Sequence, residues 1–194
     1  MQKGIYLVTG GVRSGKSFFA EELVKGFSLP VIYLATAVIT DEEMENRVKI
    51  HKERRETSWI TYEEPYNLPA LLSSLQGRES VILLDCLSVY ISNLIWKAGE
   101  NCTIEEYKLI IDHIHKLLDF LQNTKMSTVV VTSEVGLGMV PDSKLGRFYR
   151  DLMGETNQMF AKVAKEVYLV ASGIPLALKK LNCLARSTEE YIVN

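Results

Sequence analysis

Ile5-Tyr6-Leu7-Val8-Thr9 is followed directly by Gly10-Gly11-Val12-Arg13-Ser14-Gly15-Lys16-Ser17. The second segment matches the pattern Gly, four residues, Gly, Lys and then Ser or Thr, and it lies between an apolar run and a helical pattern. Glycines allow the backbone to turn and to approach a polyphosphate, with successive N–H groups pointing inward. The phosphates would lie at the N-terminus of the helix that begins near Lys16. The two segments therefore predict a strand, a phosphate-binding P-loop and a helix, in that order.

Three side chains, two in this pattern and one much further along the chain, have chemistry of their own. Lys16 is expected to reach the β- and γ-phosphates of a nucleotide, and the Ser17 hydroxyl is expected to ligate Mg²⁺. Asp85 ends the apolar run 81–84, which is typical of a buried parallel strand that brings an acid to its C-terminal edge. In a P-loop protein such an acid binds Mg²⁺, although the same pattern alone is more often the start of a turn. We therefore expect Ser17 and Asp85 to hold the metal.

Composition and charge narrow the class of protein. The chain has 194 residues, 47% of them hydrophobic, which is consistent with one domain and a substantial core. The net charge of −2 provides no general attraction for nucleic acid or an anionic membrane. No segment approaches the length of a membrane span or a secretory signal, so we expect a cytoplasmic protein. The three cysteines are far apart in sequence, which indicates free thiols.

The rest of the chain alternates strand patterns with helical patterns. Strands are predicted over 5–9, 30–36, 59–63, 81–85, 127–134 and 166–171, and a turn over 172–175. At least five strand–helix repeats imply an α/β fold with a doubly wound, mostly parallel sheet flanked by helices. We expect one nucleotide-binding catalytic domain over residues 1–180 and a C-terminal tail of unknown role over 181–194.

The helical segment from Thr40 to Glu56 is rich in charge. Thr40 with Glu43 predicts a capping box, with acids in the first turns and bases in the last. Helical spacing places His51 on one face with Arg47 and Arg55. Nearby cations disfavour the imidazolium form, which leaves a ring nitrogen available as a nucleophile, and the same cations can bind phosphates. A single histidine on a charged helix is also typical of ordinary surface, and the pattern alone leaves both interpretations open.

Three classes of function fit a P-loop on such a sheet. They are a small-molecule kinase or nucleotidyl transferase, an ATPase motor or regulator, and a nucleotide-binding module without chemistry. A transferase with a covalent intermediate has use for a histidine among cations, whereas a motor does not, so the first class is favoured. His113 and His115 lie two residues apart on a predicted helix and point to different faces, which makes them a poor metal site.

Six motifs, in order and in spacing, resemble the bifunctional adenosylcobinamide kinase and adenosylcobinamide-phosphate guanylyltransferase family of cobalamin biosynthesis. The motifs are residues 10–17, 35–36, 47–52, 132–141, 147–151 with 157–158, and 170–175. The resemblance runs from residue 5 to about residue 180. It is much more specific than a P-loop alone because six separate segments agree.

The resemblance implies two reactions. ATP or GTP phosphorylates the aminopropanol hydroxyl of adenosylcobinamide, and GMP is then transferred from GTP to adenosylcobinamide phosphate through a guanylylated histidine. His51 occupies the position of that nucleophile. In-line attack on the α-phosphorus would release pyrophosphate, with Lys16 and Mg²⁺ neutralising the charge that develops. The family also implies a RecA-like fold and a homotrimer.

The resemblance further implies a set of nucleotide-binding residues. They are Gly10, Gly11, Val12, Arg13, Ser14, Gly15, Lys16, Ser17, Leu34, Ala35, Thr36, Lys52, Glu53, Arg54, Arg55, Glu63 and Asp85. The alternative is a P-loop kinase that acts on another metabolite, in which His51 only binds phosphate. The motifs identify neither the base of the kinase step nor the residues that bind the corrinoid.

Overall fold

Apolar runs of five or six residues form the centre of a seven-stranded sheet. The computed structural model describes residues 1–183, apart from the side chain of Arg47. The strands, in chain order, are β1 (Ile5–Gly10), β2 (Val31–Ala35), β3 (Ile60–Glu63), β4 (Val81–Asp85), β5 (Ser127–Val131), β6 (Glu166–Ala171) and β7 (Ile174–Ala177). Their order across the sheet is β3-β2-β4-β5-β1-β6-β7. All neighbours pair in parallel except β6 and β7, which are antiparallel.

Helices cover the two faces of this sheet. They are α1 (Lys16–Lys25), α2 (Glu42–Arg54), α3 (Leu68–Ser74), α4 (Leu87–Ala98), α5 (Ile104–Asn123) and α6 (Lys144–Val163). Alternate strand residues enter two separate cores, so that Leu34 packs with α3–α6 whereas Tyr33 packs with α1. A parallel sheet that is buried on both faces explains why its strands are continuously apolar. The predicted doubly wound, mostly parallel α/β fold is confirmed.

The sheet order places the P-loop at the centre of one edge. β1 lies between β5 and β6, and the loop after β1 leads directly into α1. Asp85 is the last residue of β4, and Ala35, the last residue of β2, pairs with it. The carboxyl ends of these strands meet at the edge where open α/β sheets bind ligands. None of the helices formed by the described residues has the length and apolar character needed to cross a membrane.

Three local predictions were wrong. The turn predicted over 172–175 contains only Ser172 and Gly173, because Ile174 and Pro175 already pair with β6 as the start of β7. The strand predicted to run to Glu134 ends at Val131, close to where its neighbour β1 turns into the P-loop. The capping box predicted at Thr40 is replaced by Asp41, whose side chain accepts a hydrogen bond from the Met44 backbone at 2.8 Å.

Residues 184–194 of the predicted C-terminal tail lie outside the described residues. The boundary of the catalytic domain at residue 180 stays a prediction.

Candidate active site

The P-loop is held in a fixed shape by contacts with the neighbouring strands. Gly15 adopts a left-handed conformation, with φ of 93°, immediately before α1. A Cβ atom on Gly10 would lie 2.4 Å from the carbonyl oxygen of Val170, so only glycine fits there. The Gly173 amide donates to the carbonyl of Ser14 at 2.9 Å, which ties the loop to the β6–β7 turn. The loop is therefore preformed for a ligand at the helix N-terminus.

Two polar side chains of the loop, those of Lys16 and Ser14, differ in their hydrogen bonding. The Lys16 ammonium donates to the carbonyl of Gly11 at 2.9 Å and so folds back over the loop. Burial lowers the pKa of Lys16, while the neighbouring Cys86 and Asp85 act in the opposite direction. The Ser14 hydroxyl is buried without a hydrogen-bond partner among the described residues. Buried polar atoms are normally paired, so the Ser14 hydroxyl is available to a phosphate oxygen.

Asp85 lies at the centre of the candidate site. Its side chain is 9% exposed, and its Oδ1 atom accepts a hydrogen bond from the Ser17 hydroxyl at 3.5 Å. Its Oδ2 atom accepts a shorter hydrogen bond, 2.7 Å, from the hydroxyl of Tyr33. Burial, followed by the charge of Asp85, raises the pKa of Tyr33, so this hydroxyl stays protonated as a donor. The structure thus brings together the two predicted metal ligands, Ser17 and Asp85.

His51 reaches the same carboxylate from α2. Its Nδ1 atom lies 3.8 Å from Oδ2 of Asp85, and its side chain is 36% exposed. The Nδ1 atom is buried and has no hydrogen-bond partner among the described residues. The predicted nucleophile and the P-loop are therefore at one site, although they come from different elements.

The cations near His51 are engaged by other groups. Lys52 pairs with Glu63 at 2.7 Å, and Arg54 pairs with the buried carboxylate of Glu21 at 3.2 Å. The guanidinium of Arg55 lies over the ring of Tyr33, 3.8 Å from its centroid. Each of these three cations therefore has a partner of its own, and their predicted influence on His51 stays a prediction. Glu53 is exposed on the outer surface of α2.

The end of β2 is placed beside the site but faces inward. Leu34 and Ala35 are buried in the two cores. The Thr36 hydroxyl donates to the carbonyl of Cys86 at 2.8 Å and accepts from the Cys86 amide at 3.0 Å. The Asn93 amide donates to the carbonyls of Thr36 at 2.7 Å and of Pro65 at 3.1 Å. These bonds fix the ends of the strands, and nucleotide contacts by residues 34–36 stay a prediction.

Sequence reasoning missed Tyr33, Glu21 and Asn93. Glu21 lies one helical turn after Ser17, and this spacing of four residues was the available signal. Tyr33 stands inside an apolar strand, where a tyrosine is ordinary core, and Asn93 stands inside a helix. The roles of these three residues follow from side-chain hydrogen bonds to elements that are distant in sequence.

The donor set fits Mg²⁺ bound together with a nucleotide. Mg²⁺ prefers oxygen ligands and keeps several waters or phosphate oxygens, so one hydroxyl and one carboxylate from the protein suffice. Ser17 and Asp85 would provide these two ligands, and the ion would neutralise phosphate charge there. Within residues 1–183, no group of three or more His, Cys, Asp or Glu side chains is arranged to hold a metal by itself.

The fold and the P-loop define a RecA-like P-loop protein. Two solved structures share this fold: an ATPase from the type III secretion system of pathogenic bacteria, and a protein from Pyrococcus horikoshii OT3. The ATPase matches with a TM-score of 0.52 and 12% sequence identity, over 86% of this chain and 50% of the ATPase chain. The Pyrococcus horikoshii protein also matches with a TM-score of 0.52, with 8% sequence identity, over 90% of this chain and 85% of the other chain. This chain thus spans about half the length of that ATPase.

The chain belongs to the cobinamide kinase / cobinamide phosphate guanyltransferase family, whose model matches residues 6–178. It is 39% identical over 179 residues to the bifunctional adenosylcobalamin biosynthesis protein CobU of Escherichia coli (strain K12), and equally to that of Salmonella typhimurium; each alignment covers 89% of this chain and 98% of the relative. It is 35% identical over 173 residues to the protein CobP of Pseudomonas aeruginosa, with 89% of this chain and 96% of the relative covered. The protein is therefore an enzyme of this family, and the resemblance of its motifs is confirmed.

Proposed function

We propose that this enzyme carries out two successive reactions on one nucleotide site. It phosphorylates the aminopropanol hydroxyl of adenosylcobinamide with ATP or GTP, and it then transfers GMP from GTP to adenosylcobinamide phosphate. The second reaction passes through a guanylyl group on His51. The products of that step are adenosylcobinamide-GDP and pyrophosphate.

The position of His51 carries this proposal. Its ring lies 3.8 Å from the carboxylate that also contacts Ser17, at the N-terminus of α1. A nucleotide bound by the P-loop would have its phosphates beside that helix terminus. A histidine with no role beyond the surface of α2 would not be expected to enter the buried surroundings of Asp85. The arrangement supports attack on a phosphorus atom of the bound nucleotide.

The remaining parts of the site have defined roles in this scheme. Lys16 and the P-loop amides stabilise the charge that develops on the transferring phosphoryl group. Mg²⁺, bound by Ser17 and Asp85, would supply further neutralising charge when present. Lys52 and Glu63 form an exposed ion pair, and both are proposed to contact the nucleotide.

Labelled GTP tests the covalent step directly. The protein and a His51→Asn variant are incubated with GTP labelled at the α-phosphate and Mg²⁺, and are then denatured. We expect label on the unsubstituted protein alone, in an adduct that acid cleaves and base does not, as for a phosphoramidate. If neither protein retains label while both bind GTP, the covalent route is refuted. A kinase of another metabolite, without nucleotidyl transfer, would then be the better description.

Assembly and location follow from the family resemblance and form part of the proposal. We expect a homotrimer that works in the cytoplasm. Sedimentation of the purified protein at several concentrations gives the mass of the assembly, and a monomer at all of them would contradict the trimer.

A further inference from the structure

The two oxygens of Asp85 have different neighbours. Oδ1 faces the Ser17 hydroxyl at 3.5 Å, whereas Oδ2 receives the Tyr33 hydroxyl at 2.7 Å. The same Oδ2 atom faces Nδ1 of His51 at 3.8 Å. One carboxylate therefore has a side toward the P-loop and a side toward the histidine.

The sheet fixes Tyr33 relative to this carboxylate. Tyr33 pairs with Leu83 in the neighbouring strand β4, and Leu83 lies two residues before Asp85 on the same face. The Tyr33 side chain is 1% exposed, so its hydroxyl has little freedom to move. The guanidinium of Arg55 lies over its ring, which also links Tyr33 to the end of the helix that carries His51.

We propose that Tyr33 is a positioning residue for the guanylylation of His51. Its hydroxyl holds Asp85 so that Oδ2 accepts the N–H of His51 at Nδ1, which leaves Nε2 as the nucleophilic nitrogen. This inference rests on the proposed function. In a neutral imidazole one nitrogen carries the proton and the other has the free electron pair, so the partner of Nδ1 decides which atom can attack.

The contact has to shorten for this role. A distance of 3.8 Å is about 0.9 Å longer than an ordinary N–H···O hydrogen bond. Catalytic hydrogen bonds are often long without substrate and tighten in the substrate complex. The Nδ1 atom is buried without another hydrogen-bond partner among the described residues, so Asp85 is the acceptor available to it there.

The reaction balances with the proton kept on Nδ1. The electron pair of Nε2 forms a bond to the α-phosphorus of GTP, while the bond from that phosphorus to the bridging oxygen breaks and pyrophosphate leaves with its electron pair. The resulting ring carries a positive charge, which the Asp85 carboxylate stabilises. A phosphate oxygen of the acceptor then attacks the same phosphorus, and the Nε2–P bond breaks with its electron pair returning to nitrogen.

The tautomer of His51 is the first measurement. The chain contains three histidines, so ¹⁵N-labelled imidazoles give a simple NMR spectrum of the protein bound, without metal, to a GTP analogue that cannot release pyrophosphate. We expect His51 to carry its proton on Nδ1, and Tyr33→Phe to move a substantial part of the population to Nε2–H. Tyr90→Phe is the matched control, because Tyr90 is as buried as Tyr33, and its hydroxyl contacts His113 at 2.5 Å and is not bonded to Asp85. It should change the signals of His113 and leave those of His51 unchanged.

Single-turnover labelling with α-labelled GTP is the second measurement. Tyr33→Phe should slow the labelling of His51 roughly tenfold, because a hydrogen bond to a charged group is lost. GTP affinity and the rate of the kinase step should stay within about twofold, since the Ser17 side of Asp85 is intact. Tyr90→Phe should leave both rates unchanged.

The two measurements separate the inference from the function on which it depends. If the unsubstituted protein is labelled but Tyr33→Phe is labelled at the same rate with the same His51 tautomer, the positioning role is refuted. It is also refuted if both reactions slow equally and the unfolding midpoint falls, because Tyr33 then acts only in packing. If the unsubstituted protein takes no label, the proposed function fails, and the tautomer measurement still decides how Tyr33 and Asp85 orient His51.

Discussion

Replacing Arg54 with Met would leave the carboxylate of Glu21 buried without its charged partner. The Glu21 side chain is 8% exposed, and its Oε2 atom accepts a hydrogen bond from Arg54 at 3.2 Å. Its Oε1 atom is buried with no hydrogen-bond partner among the described residues. Burial raises the pKa of Glu21, and Arg54 is the strongest influence that lowers it again. The pair joins α2 to α1.

The expected loss of stability is moderate. A hydrogen bond to a charged group contributes about 1.5–3 kcal/mol. The Arg54 side chain is 40% exposed, so water screens the pair, and we take about 1–2 kcal/mol for the free energy of unfolding. In a chain of this size that loss lowers the midpoint of thermal unfolding by roughly 2–8 °C.

The loss should depend on pH in a defined direction. Without Arg54, the pKa of Glu21 in the folded state rises further above its ordinary value of 4.5. The folded state then holds a proton that the unfolded state has released, so stability falls as pH rises through the folded-state pKa. The difference in free energy of unfolding between Arg54→Met and the unsubstituted protein should therefore be smaller at about pH 5 than at about pH 8.

Urea unfolding at both pH values measures the effect. In a Glu21→Gln background, position 21 carries no charge that could be left unpaired. Arg54→Met should therefore lower the free energy of unfolding much less in that background than it does alone. Lys25→Met is the control for an exposed pair, since Lys25 bonds Glu22 and Glu56 at the surface, and it should lower the free energy of unfolding by less than Arg54→Met does. The reasoning is refuted if Arg54→Met costs the same in both backgrounds, or the same at both pH values.

Three further predictions follow from the packing. Gly10→Ala, whose new methyl group would lie 2.4 Å from the Val170 oxygen, should abolish GTP binding in calorimetry and lower the unfolding midpoint; unchanged affinity would contradict a rigid P-loop. Gly154→Ala should raise the free energy of unfolding by about 0.5–1 kcal/mol in urea titrations, because its site within α6 is open and alanine favours a helix; a decrease would show crowding. Asn93→Ala should lower the free energy of unfolding by about 2–3 kcal/mol, because two backbone carbonyls lose their hydrogen-bond donor. A change near zero would show that water replaces the amide.

Local sequence patterns were sufficient for the fold and for part of the site. The P-loop is a contiguous pattern, and the acid at the end of a buried apolar run is another, so Ser17 and Asp85 could be placed together before any contact was known. Alternation of strands and helices then determined that both lie at one edge of a parallel sheet.

The remaining features depend on contacts that a sequence pattern does not contain. Tyr33 is one tyrosine among the apolar residues of β2, and only its register with β4 places its hydroxyl on Asp85. β7 was missed because four residues that include Pro175 give a weak strand pattern, and its pairing with β6 defines it. Lys52 and Arg54 follow His51 directly in the sequence, but their partners, Glu63 and Glu21, come from other elements and could not be predicted from that pattern.

Within the described residues, the sheet ends on both sides in a strand of only four residues, β3 and β7. The free amides and carbonyls of an edge strand can pair with a strand of another molecule and so lead to aggregation. A four-residue edge offers few such hydrogen bonds, and Pro175 removes one donor from β7. We therefore expect copies of this chain to resist joining by strand addition during folding and storage.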